Sequence, residues 1–353
     1  MPEFILNGQA HGSVANRLLQ SGFDPNTFRP YIDEHGVHCV TINAAGGAPV
    51  AVPLTNATAT LRKDEWKLLD EAVVKAAKPR LRVVADIRGA GLEFTVPNGL
   101  GTTILETETV SDISAATISM DGLRKDSADR PVYELTGLPL PIISKDFHFS
   151  ARNLATSRRL GAPLDTTTAE LAARRVAEEA EKLTLGVSSS FAYGGGTVYG
   201  LMNLSGRMEA SLTDPTSSGW TGATLLAEVL AMKAQSQAQY HYGPWNLYFS
   251  PDWDQYLDSD FSTAKGDITL RERLAKIEGI QKVATVDYQT AETAILVQMT
   301  SDVIREVVGM EIQTLQWETE GGMMLNFKVM CIIVPQLRVD QNGNGGVVHG
   351  TIS

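Results

Sequence analysis

Apolar residues recur at helical spacing only in certain stretches of the chain. In "TLRKDEWKLLDEAVVKAAKPR", Trp66, Leu69, Val73 and Ala77 form one stripe and Pro79 closes it, which predicts an amphipathic helix. "RLRVVADI" and "GLEFTV" are rich in β-branched residues and predict strands. Between Asn98 and Phe149 two strand-like limbs flank a polar apex, "MDGLRKDSADRP". That pattern predicts a long hairpin, which cannot cover both of its own faces and must lean on something else. Ahead of all this, residues 1–60 are rich in Gly, Pro, Asn and Ala without a sustained period, and read as an extended arm.

The strongest helical signal lies in "SRRLGAPLDTTTAELAARRVAEEAEKLTLG". Thr167 with Glu170 three residues later has the form of a capping box, and Asp165 places negative charge at the helix start. Ala169, Ala172, Ala173, Val176, Ala180 and Leu183 make a narrow stripe of small and apolar residues. Glu170–Arg174, Arg174–Glu178, Arg175–Glu179 and Glu178–Lys182 are i,i+4 pairs on the opposite, solvated face. The segment predicts a stiff rod.

Beyond it, "VSSSFAYGGGTVYGLMN" is a Gly-rich turn region. "TGATLLAEVLAMKAQSQAQY" predicts a helix with Leu225, Val229, Met232 and Ser236 on one side, and "PWNLYFS" predicts a buried strand. "PDWDQYLDSDF" and "LRERLAKI" predict short helices, the first with Pro251 suited to its opening turn. "KVATVDYQ", "TAILVQM", "EIQTLQWETEG" and "MLNFKVMCIIVPQLRVD" predict strands. The class is mixed α+β with antiparallel strands near the end.

Composition narrows the function classes. At 353 residues, with 43% hydrophobic and 20% charged residues, the chain has the makeup of a folded protein rather than a disordered or fibrous one. Its longest apolar runs, such as Val329–Pro335, are too short to span a bilayer, and the N-terminus lacks the basic start of a secretory signal, so a soluble protein made in the cytoplasm is expected. Cys39 and Cys331 provide no disulfide framework. A net charge of −11 disfavours a broad basic face for nucleic acid.

Candidate chemistry is thin. His35, His38 and Cys39 lie close together but fit no standard zinc spacing. "DQNGNGG", Asp340 to Gly346, opens like a calcium loop, yet its twelfth position is Thr351 rather than an acid, and a polar turn is the better reading. "AYGGGTVYG" lacks the Lys-Ser/Thr of a phosphate-binding loop. Ser188 to Ser190 precede no nucleophile elbow. Asp252 with Asp254 and Asp258 with Asp260 read as a solvated helix surface, and Trp245, Tyr248, Phe249, Trp253 and Tyr256 as core rather than a ligand platform. No catalytic, cofactor-binding or metal residue is expected, and no cofactor.

The order of these parts resembles the major capsid proteins of tailed double-stranded DNA phages, of the Hong Kong phage type, whose fold is shared with encapsulin shell proteins. "KDEWKLLDEAVVKAA" looks like that family's early helix, Asn98–Phe149 like its extended loop, and "FHFSARNLATSRRLGAPLDTTTAELAARRVAEEAEKLTLG" like its strand, short helix and spine helix. "GPWNLYFSPDWDQYL" looks like the start of the axial domain, and "MMLNFKVMCIIVPQLRVD" like the returning strand pair. The resemblance implies an N-terminal arm over 1–60, the N-terminal helix and first peripheral strands over 61–97, an extended loop (E-loop) over 98–149, a peripheral domain with the spine helix over 150–220, an axial domain over 221–303, and returning strands with a tail over 304–353.

It also implies a non-enzymatic shell protein: a homo-oligomer forming pentamers and hexamers of an icosahedral virion capsid, made in the host cytoplasm. A separate scaffolding protein, a portal and decoration proteins would be its partners, with double-stranded DNA held by confinement and no membrane. Some family members crosslink a loop Lys to a neighbour's Asn; Lys125 and Asn342 or Asn344 are what this sequence offers, with no accompanying acid identified. An arm of sixty residues favours a phage capsid over the first alternative, an encapsulin-like nanocompartment. A second alternative is a soluble α/β enzyme using metal or nucleotide through "AYGGGTVYG" or the Asp252 to Asp260 acids.

Overall fold

The computed structural model describes residues 31–34, 37–43, 49–53, 61–110, 120, 133–160, 166–188, 190–261, 268–340 and 343–352. The chain divides into two compact units: residues 1–103, 140–188 and 305–335 form the first, and residues 104–139, 189–304 and 336–353 the second.

In the first unit, β1 (Tyr31–Ile32), β2 (His38–Asn43), β3 (Pro49–Pro53) and β4 (Leu61–Arg62) form a sheet in the order β3-β2-β1-β4. The stretch read as an extended arm thus contains regular strands of two to six residues, too short to leave a period in the sequence. Helix α1 (Lys63–Ala77) starts where the Glu65 carboxylate reaches back to the Arg62 N–H at 2.8 Å, and buries Trp66, Leu69, Val73 and Ala77 as its stripe predicts.

The strand expected over residues 80–87 does not form. "RLRVVADI" is a helix, α2 (Arg82–Gly89), and only β5 (Glu93–Thr95) is extended. Val83, Val84 and Ile87 face inward with the 1, 2, 5 spacing of one helical face. The β-branched residues gave a propensity that tertiary packing overrode.

β8 (Ile143–Ser150) lies outside the expected hairpin. It pairs antiparallel with β16 (Met324–Leu337), Phe147 opposite Phe327, in a four-stranded sheet ordered β5-β15-β16-β8, where β15 is Ile304–Thr319. Ser150 Oγ accepts the Asn153 N–H at 3.2 Å and starts α3 (Ala151–Leu160).

The rod is α4 (Thr167–Leu185), about 28 Å long at 1.5 Å per residue. Ala169, Ala172, Ala173, Val176 and Ala180 are buried against a core that includes Phe147, Leu325, Phe327 and Ile333. Four details differ from expectation. Thr166, not Thr167, is the N-cap, and its hydroxyl bonds the Glu170 carboxylate at 3.0 Å rather than a backbone N–H. Leu183 is half-exposed while Thr184 and Leu185 are buried, because the contact turns around the helix toward its end. Arg175 meets Glu178 at 2.9 Å, sharing that carboxylate with Arg174. The charged face is not fully solvated either, since Glu178 and Glu181 are buried. Gly186 ends the rod at φ 80°, a conformation without penalty only for glycine, and its N–H donates to the carbonyls of Lys182 and Leu183. Asp165 lies outside the described residues.

The second unit centres on a five-stranded sheet ordered β11-β17-β14-β12-β13: β11 (Met208–Leu212), β12 (Trp245–Phe249), β13 (Ile280–Thr285), β14 (Thr293–Gln298) and β17 (Val347–Ile352). β12 is buried at every residue, as read from "PWNLYFS". Helix α5 (Gly222–Ala238) buries Leu225, Val229, Met232 and Ser236 in the same core as Trp245, Leu247 and Phe249. The Trp245 indole N–H donates to Ser236 Oγ at 3.1 Å, which gives the one polar member of that stripe its role. Short helices α6 (Asp254–Leu257) and α7 (Leu270–Ala275) follow, the first preceded by a 3₁₀ turn opened by Pro251.

Two hairpins complete this unit. β6 (Ile104–Val110) and β7 (Tyr133–Pro139) pair antiparallel over seven positions, a shorter span than 98–149 because the flanking strand β8 is claimed by β16. The polar apex, with the exception of Met120, lies outside the described residues. β9 (Phe191–Tyr193) and β10 (Gly196–Val198) close around Gly194 and Gly195, both at positive φ, so "AYGGGTVYG" is a hairpin turn.

Candidate functional site

His35, Ser189, Lys125 and Asn342 lie outside the described residues. Cys39 is buried with Sγ 4.0 Å from Asp33 Oδ2; burial and the Asp33 charge both raise its thiol pKa. His38 is half-buried on the adjoining strand position. Among the described residues no group of three or more His, Cys, Asp or Glu is arranged to hold a metal.

Asp340 serves a turn: its Oδ1 accepts the Asn344 N–H at 2.8 Å and its carbonyl accepts the Gly343 N–H at 2.9 Å. Asn344 Nδ2 donates to Gln239 Oε1 at 2.7 Å, and Thr351 sits within β17 opposite Ser211 and Thr293, as a sheet residue. The acids after β12 are likewise engaged locally. Asp254 and Asp258 bind Arg271, Asp252 accepts the Glu292 N–H at 3.2 Å, and Asp260 pairs with Thr269. Ser188 Oγ donates to Glu179 at 3.0 Å. Trp245, Tyr248, Phe249 and Trp253 are all buried, with Trp253 edge-on to Tyr256 at 6.4 Å between ring centroids.

What the sequence reading missed is a pair of buried acidic anchors in the first unit. Glu181, on α4, accepts the N–H groups of Val83 at 2.7 Å and Val84 at 3.4 Å. Leu81 offers α2 no side-chain cap, so a carboxylate 98 residues away in sequence supplies it. Burial pushes the Glu181 carboxyl up to about 7, against the pull of the N–H groups of Val83, Val84 and Arg82. Toward the other end of α2, the Arg88 guanidinium makes three bonds to Glu306 at 3.0–3.2 Å and one to Glu311 at 3.2 Å. Burial opposes the Arg88 charge, yet Glu311 and Glu306 hold its pKa above normal. No local motif marks such pairs, because the partners lie 218 and 223 residues apart.

The remaining candidate feature is a surface. On the β6–β7 hairpin, Tyr133 is 62% and Leu135 58% exposed, and the register places Leu135 opposite Glu108 on one face. The second unit also exposes Phe191, Tyr193, Tyr240 and Tyr242, the last two just after α5. Large apolar and aromatic groups left exposed on strands have the character of association surfaces.

Comparison with known proteins bears on such a surface. A family model described as "Family of unknown function (DUF6260)" matches residues 56–350. The type 1 encapsulin shell protein EncA of Myxococcus xanthus is 27% identical over 203 residues, which is 56% of this chain and 64% of that protein, so the match spans a little under two thirds of the relative's length. Among solved structures, the virus-like particle from Pyrococcus furiosus superposes with a TM-score of 0.56 at 15% identity, covering 80% of this chain and 97% of the other. The capsid of Myoviridae phage XM1 gives 0.55 at 10% identity over 71% and 86%, and the capsid of a native GTA particle 0.53 at 12% over 77% and 91%. The α+β fold is that of the Hong Kong phage type, common to phage capsids and encapsulins.

Proposed function

Given that the chain belongs to the DUF6260 family, a family whose function is unknown, and has this capsid and encapsulin fold, we propose that it is a structural protein, not an enzyme, that self-assembles into a closed icosahedral shell. The observation that carries this reading is that one fold covers 97% of a virus-like particle subunit while the curated sequence relative is itself a shell protein. The exposed hairpin β6–β7 fits the role, because a strand pair with Tyr133 and Leu135 facing solvent is covered once it lies on a second subunit. In this reading the first unit serves as the peripheral domain, the second carries the extended loop and the axial domain, and the arm clasps a neighbour.

Between the two kinds of shell, the sequence relative favours an encapsulin-like compartment over the phage capsid that the long arm first suggested. The phage reading retains one support, structural likeness to phage capsids at a similar TM-score, and only that reading calls for a scaffolding protein, a portal and confined DNA. Contents separate the two. Particles isolated from the native source and treated with nuclease are expected to release a co-purifying protein and no protected DNA. Nuclease-resistant double-stranded DNA of uniform length would contradict the compartment reading and establish the capsid.

A further inference from the structure

We propose that residues 82–95, helix α2 with strand β5, form a proton-controlled joint in the first unit, held at both ends by buried carboxylates. At one end Glu181 caps α2 through Val83 and Val84. At the other, Arg88 binds Glu306 and Glu311, while β5 joins β15 through the pairs Glu93–Glu306, Phe94–Val307 and Thr95–Val308.

The charges around Arg88 do not balance. Glu306 is only 1% exposed, Glu311 shares the same guanidinium, and Glu93 stands directly across the strand pair from Glu306. Three ionised carboxylates around one guanidinium leave an excess of negative charge in a place largely shielded from water. Arg305, next along β15, turns its guanidinium over the Phe94 ring, 4.5 Å from the centroid. Cys331 on β16 faces the cluster, and burial, then Glu311, raise its thiol so that it keeps its proton. At the Glu181 end the nearby Asp86 adds further negative charge.

Protons relieve this imbalance. Burial pushes Glu306 up to about 7 despite Arg88, and raises Glu311 in the same direction. Glu181 is likewise near 7. Glu306 and Glu311, sharing the Arg88 guanidinium, titrate as a coupled pair. Each raised acid sits above the ordinary 4.5 of an unfolded chain, so the closed joint keeps protons that the opened joint releases. Stability of the joint is therefore fully present at acidic pH and is lost as pH rises from about 4.5 through about 7. The joint is a property of the first unit and does not depend on the chain forming a shell.

The test is hydrogen exchange on the full chain at pH 6 and pH 8, corrected for the intrinsic chemical rate. Peptides covering residues 82–95 are expected to exchange at least about tenfold faster at pH 8, the equivalent of one pKa unit, while peptides of α5 do not change. Glu306→Gln and Glu181→Gln, each removing one titrating anchor, reduce that ratio. Glu93→Gln, which removes a neighbouring charge without touching the bonds of Arg88, reduces it too, and serves if an anchor variant fails to fold. Equal protection of residues 82–95 at the two pH values, or an undiminished ratio in all the variants that fold, would overturn the proposal.

Discussion

Replacing Phe327 by Ala is expected to destabilise the first unit by about 3–5 kcal/mol, the range for removing a large buried aromatic side chain. Phe327 is fully buried on β16 and stacks on Phe147 of the paired strand, with centroids 5.2 Å apart and planes at 11°. It also meets Phe149 and Trp66 edge-on at 5.5 and 6.1 Å. These rings join sheet and helix: Phe147 and Phe149 come from β8 and Trp66 from α1, in the core on which the Ala stripe of α4 also packs. Truncation opens a void bounded by three aromatic rings and a helix whose small side chains cannot expand to fill it. Urea unfolding of dissociated subunits measures the effect. Phe327→Leu, which keeps most of the volume, is expected to cost less than half as much, and a loss below about 1 kcal/mol for Phe327→Ala would mean that this cluster does not organise the unit.

The second large effect concerns assembly rather than folding. Tyr133→Asp with Leu135→Asp is expected to abolish particle formation while leaving the subunit's secondary structure unchanged and lowering its unfolding midpoint only slightly. Both side chains are more than half exposed in the single chain, so little folding energy is at stake there. If the hairpin lies on a neighbouring subunit, each apolar group is buried at that contact, worth about 1.5–3 kcal/mol apiece, and the loss recurs at every contact of the shell. Glu108 sits opposite Leu135 in the same hairpin, so Leu135→Asp costs the subunit itself about 0.2–1 kcal/mol in like-charge repulsion, small beside the loss at the contacts. Sedimentation velocity separates the outcomes: slow-moving subunits or small oligomers for the double variant support the assignment. Particles that sediment like the parent's would show that this face is not part of the assembly.

Periodicity identified the elements whose packing is local and one-sided. The Trp66, Leu69, Val73, Ala77 stripe, the α4 stripe apart from Leu183 and the Leu225, Val229, Met232, Ser236 stripe are buried as read, because each helix lays one face on one core. The stretch at β12, apolar but for Asn246, was equally legible, since both faces of that strand are covered. Misreadings arose where distant residues decide the outcome. Residues 82–89 carry β-branched side chains but are helical, with an N-terminus capped by Glu181 from far along the chain. The strand pairing within 98–149 is shorter than the sequence suggests, because β8 is strand-like in itself and only its partner β16 shows which sheet it joins.

The fold was legible by a different route. The acids after β12, the glycines at 194 and 195 and the Asp340 turn are all engaged in local structure, which agrees with their bland readings. No single motif announced the fold, and the order of elements carried it. The preference for a phage capsid came from the length of the arm, a feature that says little about what a shell encloses; sequence similarity to an encapsulin shell protein now weighs the other way. The Arg88, Glu306 and Glu311 group was invisible because ion pairs across more than two hundred residues leave no spacing to detect.

Electron microscopy of the purified full chain tests the central claim most directly. Closed particles of uniform diameter with icosahedral symmetry, built from pentamers or from pentamers and hexamers of this one chain, are the predicted result. A homogeneous monomer or small oligomer that forms no closed particle across a range of protein concentrations would contradict it.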